Sequence, residues 1–329
     1  MKNIRIVQVG LGPLGVKIGQ FIAERAGLET VAAIDKNPDL IGKSLSSLDQ
    51  NLPDIVIEEN FASCIDQKPD VAILTTVSDM QRITPQIIEI VSLGIPVVST
   101  CEELSYPWIT APSLASQIDS MATKNNVAVV GTGVNPGFLM DSLPTFLTSV
   151  CQHVESIEVN RFQNAAYRRI PFQKKIGAGA TMEEFEKRKA DGSLRHVGLT
   201  ESIQYIASSL GWSLDKTEDI ISPVIAENEV STNGVQVAKG LASGVNQVGN
   251  GYVDGEVKIK LVFQAAVGES SSYDEIIIKG TPNIHSKIEG GVNGDVATCA
   301  ITVNCSRSIL EAKPGLRTMS DLPNVSYFS

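Results

Sequence analysis

Along the first 140 residues, short apolar runs alternate with stretches whose apolar residues recur every three or four positions. The runs fall at 4–9, 30–34, 71–75, 96–100 and 127–130, and the helix-like stretches at 13–26, 85–93 and 113–124. Strands without polar alternation are buried on both faces, and β and α alternating at this spacing predict a parallel sheet with helices on either side. The pattern changes after "NPGFLMDSLPTF", whose Pro136 is placed for a first helical turn. Beyond it, strands are expected at 154–162, 236–247, 256–267 and 274–279, with turns or sparse helix between them. Residues 256–263 alternate polar and apolar, as an antiparallel sheet with one exposed face does. Two helices have legible starts: "TMEEFEKRKADG", with Thr181 and Glu184 at capping-box spacing, and "TESIQYIASSLGW". A last helix is expected over 294–313, from Val296, Cys299, Ala300, Val303 and Leu310, and stops at Pro314 and Gly315. The expected fold is α/β. Residues 1–140 form a parallel-sheet domain, joined by the returning segment 294–329, and residues 141–293 form an α+β domain with a mostly antiparallel sheet.

A chain of 329 residues is longer than one hydrophobic core usually grows, so two domains are also the expectation from length. With 43% hydrophobic and 19% charged residues it is an ordinary globular composition. The net charge of −10 repels phosphate backbones and anionic lipid, and no Lys/Arg block interrupts it, so neither nucleic acid nor a membrane surface is an expected partner. The opening "MKNIRIVQVG" is too soon interrupted by glycine for a signal peptide, and no apolar run reaches the roughly 18 residues of a membrane span, so a cytoplasmic location is expected. Five scattered cysteines without a CxxC pair read as core-filling residues, and His153, His196 and His285 lie far apart. No metal is expected.

Residues 4–15 read "IRIVQVGLGPLG", a buried-strand run followed by Gly10-x-Gly12-x-x-Gly15 and a helical pattern. In this fingerprint the first glycine permits the tight turn and the second lets backbone approach a pyrophosphate. The third allows close helix–strand packing, which leaves the helix N-terminus facing the negative charge. Gly10, Gly12, Pro13, Leu14 and Gly15 are therefore candidates for holding a dinucleotide. Asp35 closes "TVAAID" twenty residues beyond Gly15, where a carboxylate accepts hydrogen bonds from ribose hydroxyls and repels a 2′-phosphate. That favours NAD, while Lys36 beside it leaves NADP open.

In an open parallel sheet the ligand lies across the carboxyl ends of the strands. Thr75, Thr76 and Val77 leave one such end, Thr100, Cys101, Glu102 and Glu103 another, and "GTGVNPG" (131–137) a third. Thr75 and Thr76 either bond ribose or phosphate or cap the next turn. Asn135 and Pro136 either face a nicotinamide or begin a helix, with Asn135 as its cap. The adjacent Glu102 and Glu103 are either a solvated loop, with one acid serving a helix first turn, or a chemical group walled off from water by Tyr106, Pro107 and Trp108.

On "VGLGPLG", "VVSTCEELSYPW", "VGTGVNPGFLMDSLP", "PFQKKIGAG" and the tail "NGDVATCAITVNCSRSILEAKPGLRTMSDLP", the chain resembles the dihydrodipicolinate-reductase-like dehydrogenases over nearly its whole length. Within them it is similar to the 2,4-diaminopentanoate dehydrogenases and native amine dehydrogenases. The tail and the NPGF segment are the specific parts; the glycine loop is shared by many families. The resemblance implies a Rossmann domain holding NAD(P), a second domain that binds substrate and forms a homodimer, and reversible oxidative deamination of a small amine or diamino acid. In reverse it implies reductive amination of a ketone with ammonia. It also implies that the acid at Glu102 contacts the substrate amine.

Amine chemistry needs an acid there whatever the family. An ammonium has no lone pair with which to expel a hydride, so a base must first take its proton, and the resulting iminium is then attacked by water that the same carboxylate can deprotonate. For the other end of the substrate, "RFQNAAYRRIPFQKK" offers Arg161, Asn164, Tyr167, Arg168, Arg169, Gln173 and Lys174. If the substrate carries a carboxylate, one of these cations pairs with it; if it is a plain amine, they are surface or interdomain charges. Asn164, Tyr167 and Arg168, with His196, are the candidate substrate contacts, Tyr167 as a wall and His196 as a polar group. Two alternatives stand beside this reading. A dihydrodipicolinate-reductase-like imine reductase calls for a histidine-rich segment with a nearby lysine, which the sequence lacks. A non-catalytic NAD(H)-binding redox sensor has no use for Glu102.

Overall fold

The computed structural model describes residues 3–168, 170–194, 196–232 and 234–329, with Pro171 as backbone only. Two compact units divide the chain, residues 1–138 with 293–329 and residues 139–292.

In the first unit six strands run in chain order as β1 (Ile4–Val9), β2 (Leu28–Ile34), β3 (Ile57–Glu58), β4 (Val71–Leu74), β5 (Val97–Ser99) and β6 (Ala128–Gly131). A short C-terminal strand, Gly315–Arg317, pairs beside β6. Among the described residues these form a seven-stranded, all-parallel sheet in the order C-terminal strand, β6, β5, β4, β1, β2, β3. Successive residues of each strand point to opposite faces, which explains why the runs are mostly apolar: both faces are covered. Val7, Val9, Ala72, Leu74 and Val97 pack in one core with residues of helices Met80–Ser92 and Pro112–Lys124. Ile6, Ile73, Val98 and Val130 pack in the other with Ile18 and Ile22 of helix Pro13–Ala23 and Cys299 and Val303 of helix Gly294–Ser308. Strand order reverses between β1 and β4, so the carboxyl ends of these two strands open the crevice where such sheets take ligands.

The second unit contains β7 (His153–Asn164), β8 (Lys216–Ile225), the two-residue pair β9 (Val230–Ser231) and β10 (Gln236–Val237), β11 (Ala242–Val253), β12 (Glu256–Ala266), β13 (Tyr273–Thr281) and β14 (Ile284–Glu289). Among the described residues six of them form one mixed sheet, β14-β13-β7-β12-β11-β8, antiparallel except between β7 and β12. Helix Leu199–Ser209 covers one face by packing on β8, β11 and β12. Ile157, Val159, Ile259 and Leu261 are buried on that side, while Glu158, Asn246, Val248 and Lys260 on the other remain half-buried. The capping box on helix Met182–Ala190 closes from both sides, the Glu184 amide donating to Thr181 Oγ1 at 3.2 Å and the Thr181 amide to Glu184 Oε2 at 2.9 Å.

Several expected boundaries differ. Helix Met80–Ser92 begins well before Pro85 because Asp79 caps it, accepting the Arg82 amide at 2.9 Å. The helix expected to start at Pro136 starts at Ser142 instead, where Asp141 Oδ1 accepts the Ser142 amide at 2.6 Å. Residues 132–141 form a loop without helix, in which Gly137 takes φ +120° and the Asn135–Pro136 peptide is cis, and Asn135 caps no helix at Pro136. The strand expected over 236–247 is split into β10 and β11, and the C-terminal helix gives way to a 3-10 turn at Ile309–Glu311. No helix among the described residues is long and apolar enough to cross a membrane.

Candidate active site

The glycine loop joins β1 to helix Pro13–Ala23 with Pro13 at its first position. A Cβ on Gly15 would collide with the Gly10 carbonyl, so only glycine lets this helix start so close to the strand end. A Cβ on Gly12 would point into open space, and the Leu14 side chain packs into the core. The first-turn amides of such a helix are free to take a phosphate. Two residues from neighbouring strands hold the loop. Thr75 Oγ1 donates to the Gly10 carbonyl at 2.7 Å, and the Leu11 amide donates to Asp35 Oδ2 at 2.6 Å. Asp35 Oδ1 also accepts the Asn37 amide, at 2.8 Å.

Above these groups lies a cavity of ≈ 340 Å³ lined by Gly10, Gly12, Asp35, Thr75, Thr76 and Val77 of the expected set. Lys36, weighed beside Asp35 in the sequence, also lines it; sequence reasoning missed Glu59, Asn60, Phe61, Gln86 and Glu89. Glu59 to Phe61 arrive from the end of β3 and Gln86 and Glu89 from helix Met80–Ser92, and only the spacing of Gln86 and Glu89, three apart on that helix, was there to be read. Thr76 Oγ1 donates to Gln86 Oε1 at 2.9 Å, tying the two sides together. With Asp35, Glu59 and Glu89 against Lys36, the wall is acidic.

Thr100 continues β5, its amide donating to the Leu74 carbonyl at 3.1 Å. The Cys101 thiol is turned into the core, and burial pushes its pKa up to about 12, which leaves only its backbone for a ligand. The next residues form the 3-10 turn Glu102–Ser105, and here the two glutamates part. Glu103 Oε2 accepts the Met80 amide at 2.8 Å, and the Glu103 amide donates to the Ser78 carbonyl at 3.3 Å. It therefore satisfies a donor at the start of helix Met80–Ser92. The half-buried Glu102 carboxylate accepts no hydrogen bond and makes no ion pair among the described residues. Tyr106 and Trp108, with ring centroids 5.1 Å apart, follow in the same edge. Gly131 at the end of β6 makes room for the turn, since a Cβ there would stand 2.6 Å from the Leu104 carbonyl carbon. The loop after it, which holds Asn135 and Pro136, is tied to the C-terminal helix: the Val134 amide donates to Thr298 Oγ1 at 3.2 Å.

In the second unit the candidate substrate residues cluster at one end of β7. Asn164 serves local structure, its Oδ1 accepting the Ala166 amide at 3.0 Å and its Nδ2 donating to the Glu269 carbonyl at 2.8 Å. Tyr167 is 89% exposed. The Arg168 guanidinium lies 4.2 Å over the Phe172 ring and donates to Gln163 Oε1 at 3.1 Å. His196 stacks on Phe263 with centroids 4.4 Å apart, and Gln247 brackets its backbone, accepting from the amide at 2.8 Å. Arg161 is buried against Asp274 and donates to the Val292 carbonyl, and Gln173 donates to the Arg168 carbonyl at 2.8 Å. Arg161, Phe263 and Gln247 stand side by side in one cross-strand row. Arg169 lies outside the described residues.

A glycine-loop helix at the switch point of a parallel sheet, with an acid on an adjoining carboxyl-edge turn, defines a Rossmann-type dehydrogenase. The comparisons narrow the class. Residues 138–328 match the family described as the 2,4-diaminopentanoate dehydrogenase C-terminal domain. The 2,4-diaminopentanoate dehydrogenase of Acetoanaerobium sticklandii is 32% identical over 98% of this chain and 94% of its own length. The chain belongs to the 2,4-diaminopentanoate dehydrogenase family and is an oxidoreductase acting on amines or amino acids. Its fold is similar to that of the amine dehydrogenase from Mycobacterium smegmatis (TM-score 0.84, 20% identity, 99% of this chain and 98% of that one). It is more distantly similar to scyllo-inositol dehydrogenase from Lactobacillus casei (TM-score 0.60, 16% identity, 97% and 92%).

Proposed function

We propose that the chain oxidatively deaminates a small amine or diamino acid of the 2,4-diaminopentanoate class with NAD as the hydride acceptor, and in reverse aminates a ketone with ammonia. The observation that carries the reading is the difference between the adjacent glutamates. Glu103 is committed to a helix start, whereas Glu102, on the carboxyl edge of the nucleotide-binding sheet, has no structural partner among the described residues. A carboxylate left without a structural task at such an edge is suited to take the proton from a substrate ammonium. Once that proton has passed to solvent, the restored carboxylate stabilises the cationic iminium and takes a proton from the attacking water, with Tyr106 to Trp108 keeping bulk water scarce.

The first-turn amides around Gly12 to Gly15 would hold the dinucleotide's phosphates, and Asp35 its adenosine ribose. When bound, the nicotinamide supplies the hydride acceptor. Preference for NAD over NADP rests on the cavity wall, where Asp35, Glu59 and Glu89 outnumber Lys36 and oppose a dianionic 2′-phosphate. A homodimer through the uncovered face of the six-stranded sheet belongs to the same reading. That face carries Phe162, Val248, Val262 and Ile277, and its carboxylates already have partners, Glu158 pairing with Lys260 at 3.1 Å and Glu275 hydrogen-bonding the His285 ring at 2.8 Å. A second copy laid on it would bury few uncompensated charges. Buried cysteines outside any disulfide at Cys64, Cys101 and Cys305 fit a reducing, cytoplasmic setting.

The test is reduction of NAD⁺ and NADP⁺ with 2,4-diaminopentanoate and a panel of simple amines, and NADH oxidation with ketone plus ammonia. Amine-dependent NAD⁺ reduction is expected. No turnover in either direction, with NADH still bound, would replace this reading by that of a redox sensor.

A further inference from the structure

Strand β1 lies in the middle of the parallel sheet, and its last four residues are buried. Three of them are apolar; the fourth, Gln8, is 2% exposed. An amide in such a position is destabilising unless both its ends find partners, and an aliphatic residue would fill the space without that demand. Both ends are used. Gln8 Nε2 donates to the Gly15 carbonyl at 3.0 Å, and Gln8 Oε1 accepts from Thr30 Oγ1 at 3.2 Å. Gly15 is the third glycine of the loop and lies in the first turn of helix Pro13–Ala23; Thr30 is on β2. One helical turn further on, Gly19 leaves the space the amide occupies: a Cβ there would stand 2.9 Å from Gln8 Oε1 and 3.1 Å from Gln8 Nε2. Three residue types, a buried glutamine, a threonine and a glycine without a positive φ, thus meet at one point and fasten the start of the helix to the sheet beneath it.

We infer that Gln8 is a positioning residue for the nucleotide phosphates. It acts through Gly15, fixing the depth and rotation of the helix N-terminus so that its first-turn amides stand ready for the anion. Preorganised donors bind an anion without first paying to order themselves, so loosening this bond should appear in dinucleotide affinity rather than in the chemistry. The inference rests on the dinucleotide reading above.

NADH binding by calorimetry, with steady-state kinetics and thermal melting, tests it on wild type, Gln8→Met and Thr30→Val. Methionine nearly matches glutamine in volume but cannot bond Gly15. The expected result for Gln8→Met is an NADH Kd raised about tenfold, equivalent to about 1.4 kcal/mol, and a raised KM for NAD⁺. The amine KM and kcat at saturating NAD⁺ should stay within twofold. Thr30→Val keeps the bond to Gly15 and frees only Oε1, so a two- to threefold rise in Kd is expected, and this holds the test open if Gln8→Met does not fold. Wild-type affinity in both variants, whatever their melting temperatures, would reduce Gln8 to a packing residue and overturn the proposal. Absence of NADH binding by the wild type would instead sink the dinucleotide reading, and the proposal with it.

Discussion

Gly131→Ala is the sharpest geometric test of the turn that carries Glu102. Gly131 does not occupy the left-handed region, so alanine is compatible with its backbone and the whole effect comes from the added methyl. That methyl would stand 2.6 Å from the Leu104 carbonyl carbon and 2.8 Å from both the Leu104 oxygen and the Ser105 nitrogen. Carbon atoms prefer about 3.5–4.0 Å, so the turn must lift by roughly 0.5–1 Å. It is not free to do so without loss. Leu104 is fully buried, the Leu104 amide bonds the Cys101 carbonyl at 3.2 Å, and Glu103 is tied to Met80 and Ser78. Overpacking of this kind typically costs about 1–3 kcal/mol, and at this chain size each kcal/mol lowers Tm by about 2–4 °C. A misplacement near 1 Å can cost about a hundredfold in rate. The expected outcome is therefore kcat for amine-dependent NAD⁺ reduction down by about 10- to 100-fold. Tm should fall by several degrees, with NADH affinity within threefold because the glycine loop and its cavity lie across other strands. A lowered Tm with kcat within threefold of wild type would show that the Glu102 turn does not bear on the reaction. Parallel loss of NADH affinity and kcat would show that the lesion is not local.

Three further outcomes follow from the same contacts. Glu103→Leu removes the acceptor of the Met80 amide and should lower Tm by about 2–4 °C, for about 1 kcal/mol, while kcat stays within a few-fold; a melt unchanged from wild type would remove its capping role. Asp35→Asn keeps an acceptor for the Leu11 amide but removes one of three carboxylates from the cavity wall. The NAD⁺/NADP⁺ ratio of kcat/KM should fall about tenfold, and an unchanged ratio would discount charge as the source of preference. Burial pushes the thiols of Cys64, Cys101 and Cys305 up to about 11, 12 and 12, so at pH 8 almost none is thiolate. A disulfide reagent should label half-buried Cys151 first in the native protein and all five cysteines once it is unfolded; rapid native labelling of Cys101 would contradict its burial.

The parallel sheet was legible because strands covered on both faces are mostly apolar, and 4–9, 71–75 and 96–100 announce themselves in that way despite Arg5, Gln8 and Ser99. Edge strands obey no such rule. β8 begins "KTED" and carries Pro223, β14 is mostly exposed, and Gly315–Arg317 is three residues long and pairs with β6 across most of the chain. The helix assigned to Pro136 failed for a different reason. Its capping pattern was sound locally, but Gly137 packs against the backbone of Gly133 and keeps the chain in a loop until Asp141 supplies another cap. In the site, the glycine loop and Asp35 could be read from spacing, whereas Glu59, Gln86 and Glu89 reach the cavity from separate elements. The distinction between Glu102 and Glu103 depends on the Met80 amide, twenty-three positions from Glu103 and invisible to any local pattern.

Glu102→Gln, which nearly preserves shape and removes the base, tests the central claim most directly when amine-dependent NAD⁺ reduction and NADH affinity are measured side by side with Glu103→Gln. Loss of general-base catalysis is worth about 10²- to 10⁴-fold. A fall of that order in kcat/KM is expected for Glu102→Gln, with NADH Kd within twofold and little change in activity for Glu103→Gln. Turnover within tenfold of wild type for Glu102→Gln, or an equal loss in both variants, would contradict it.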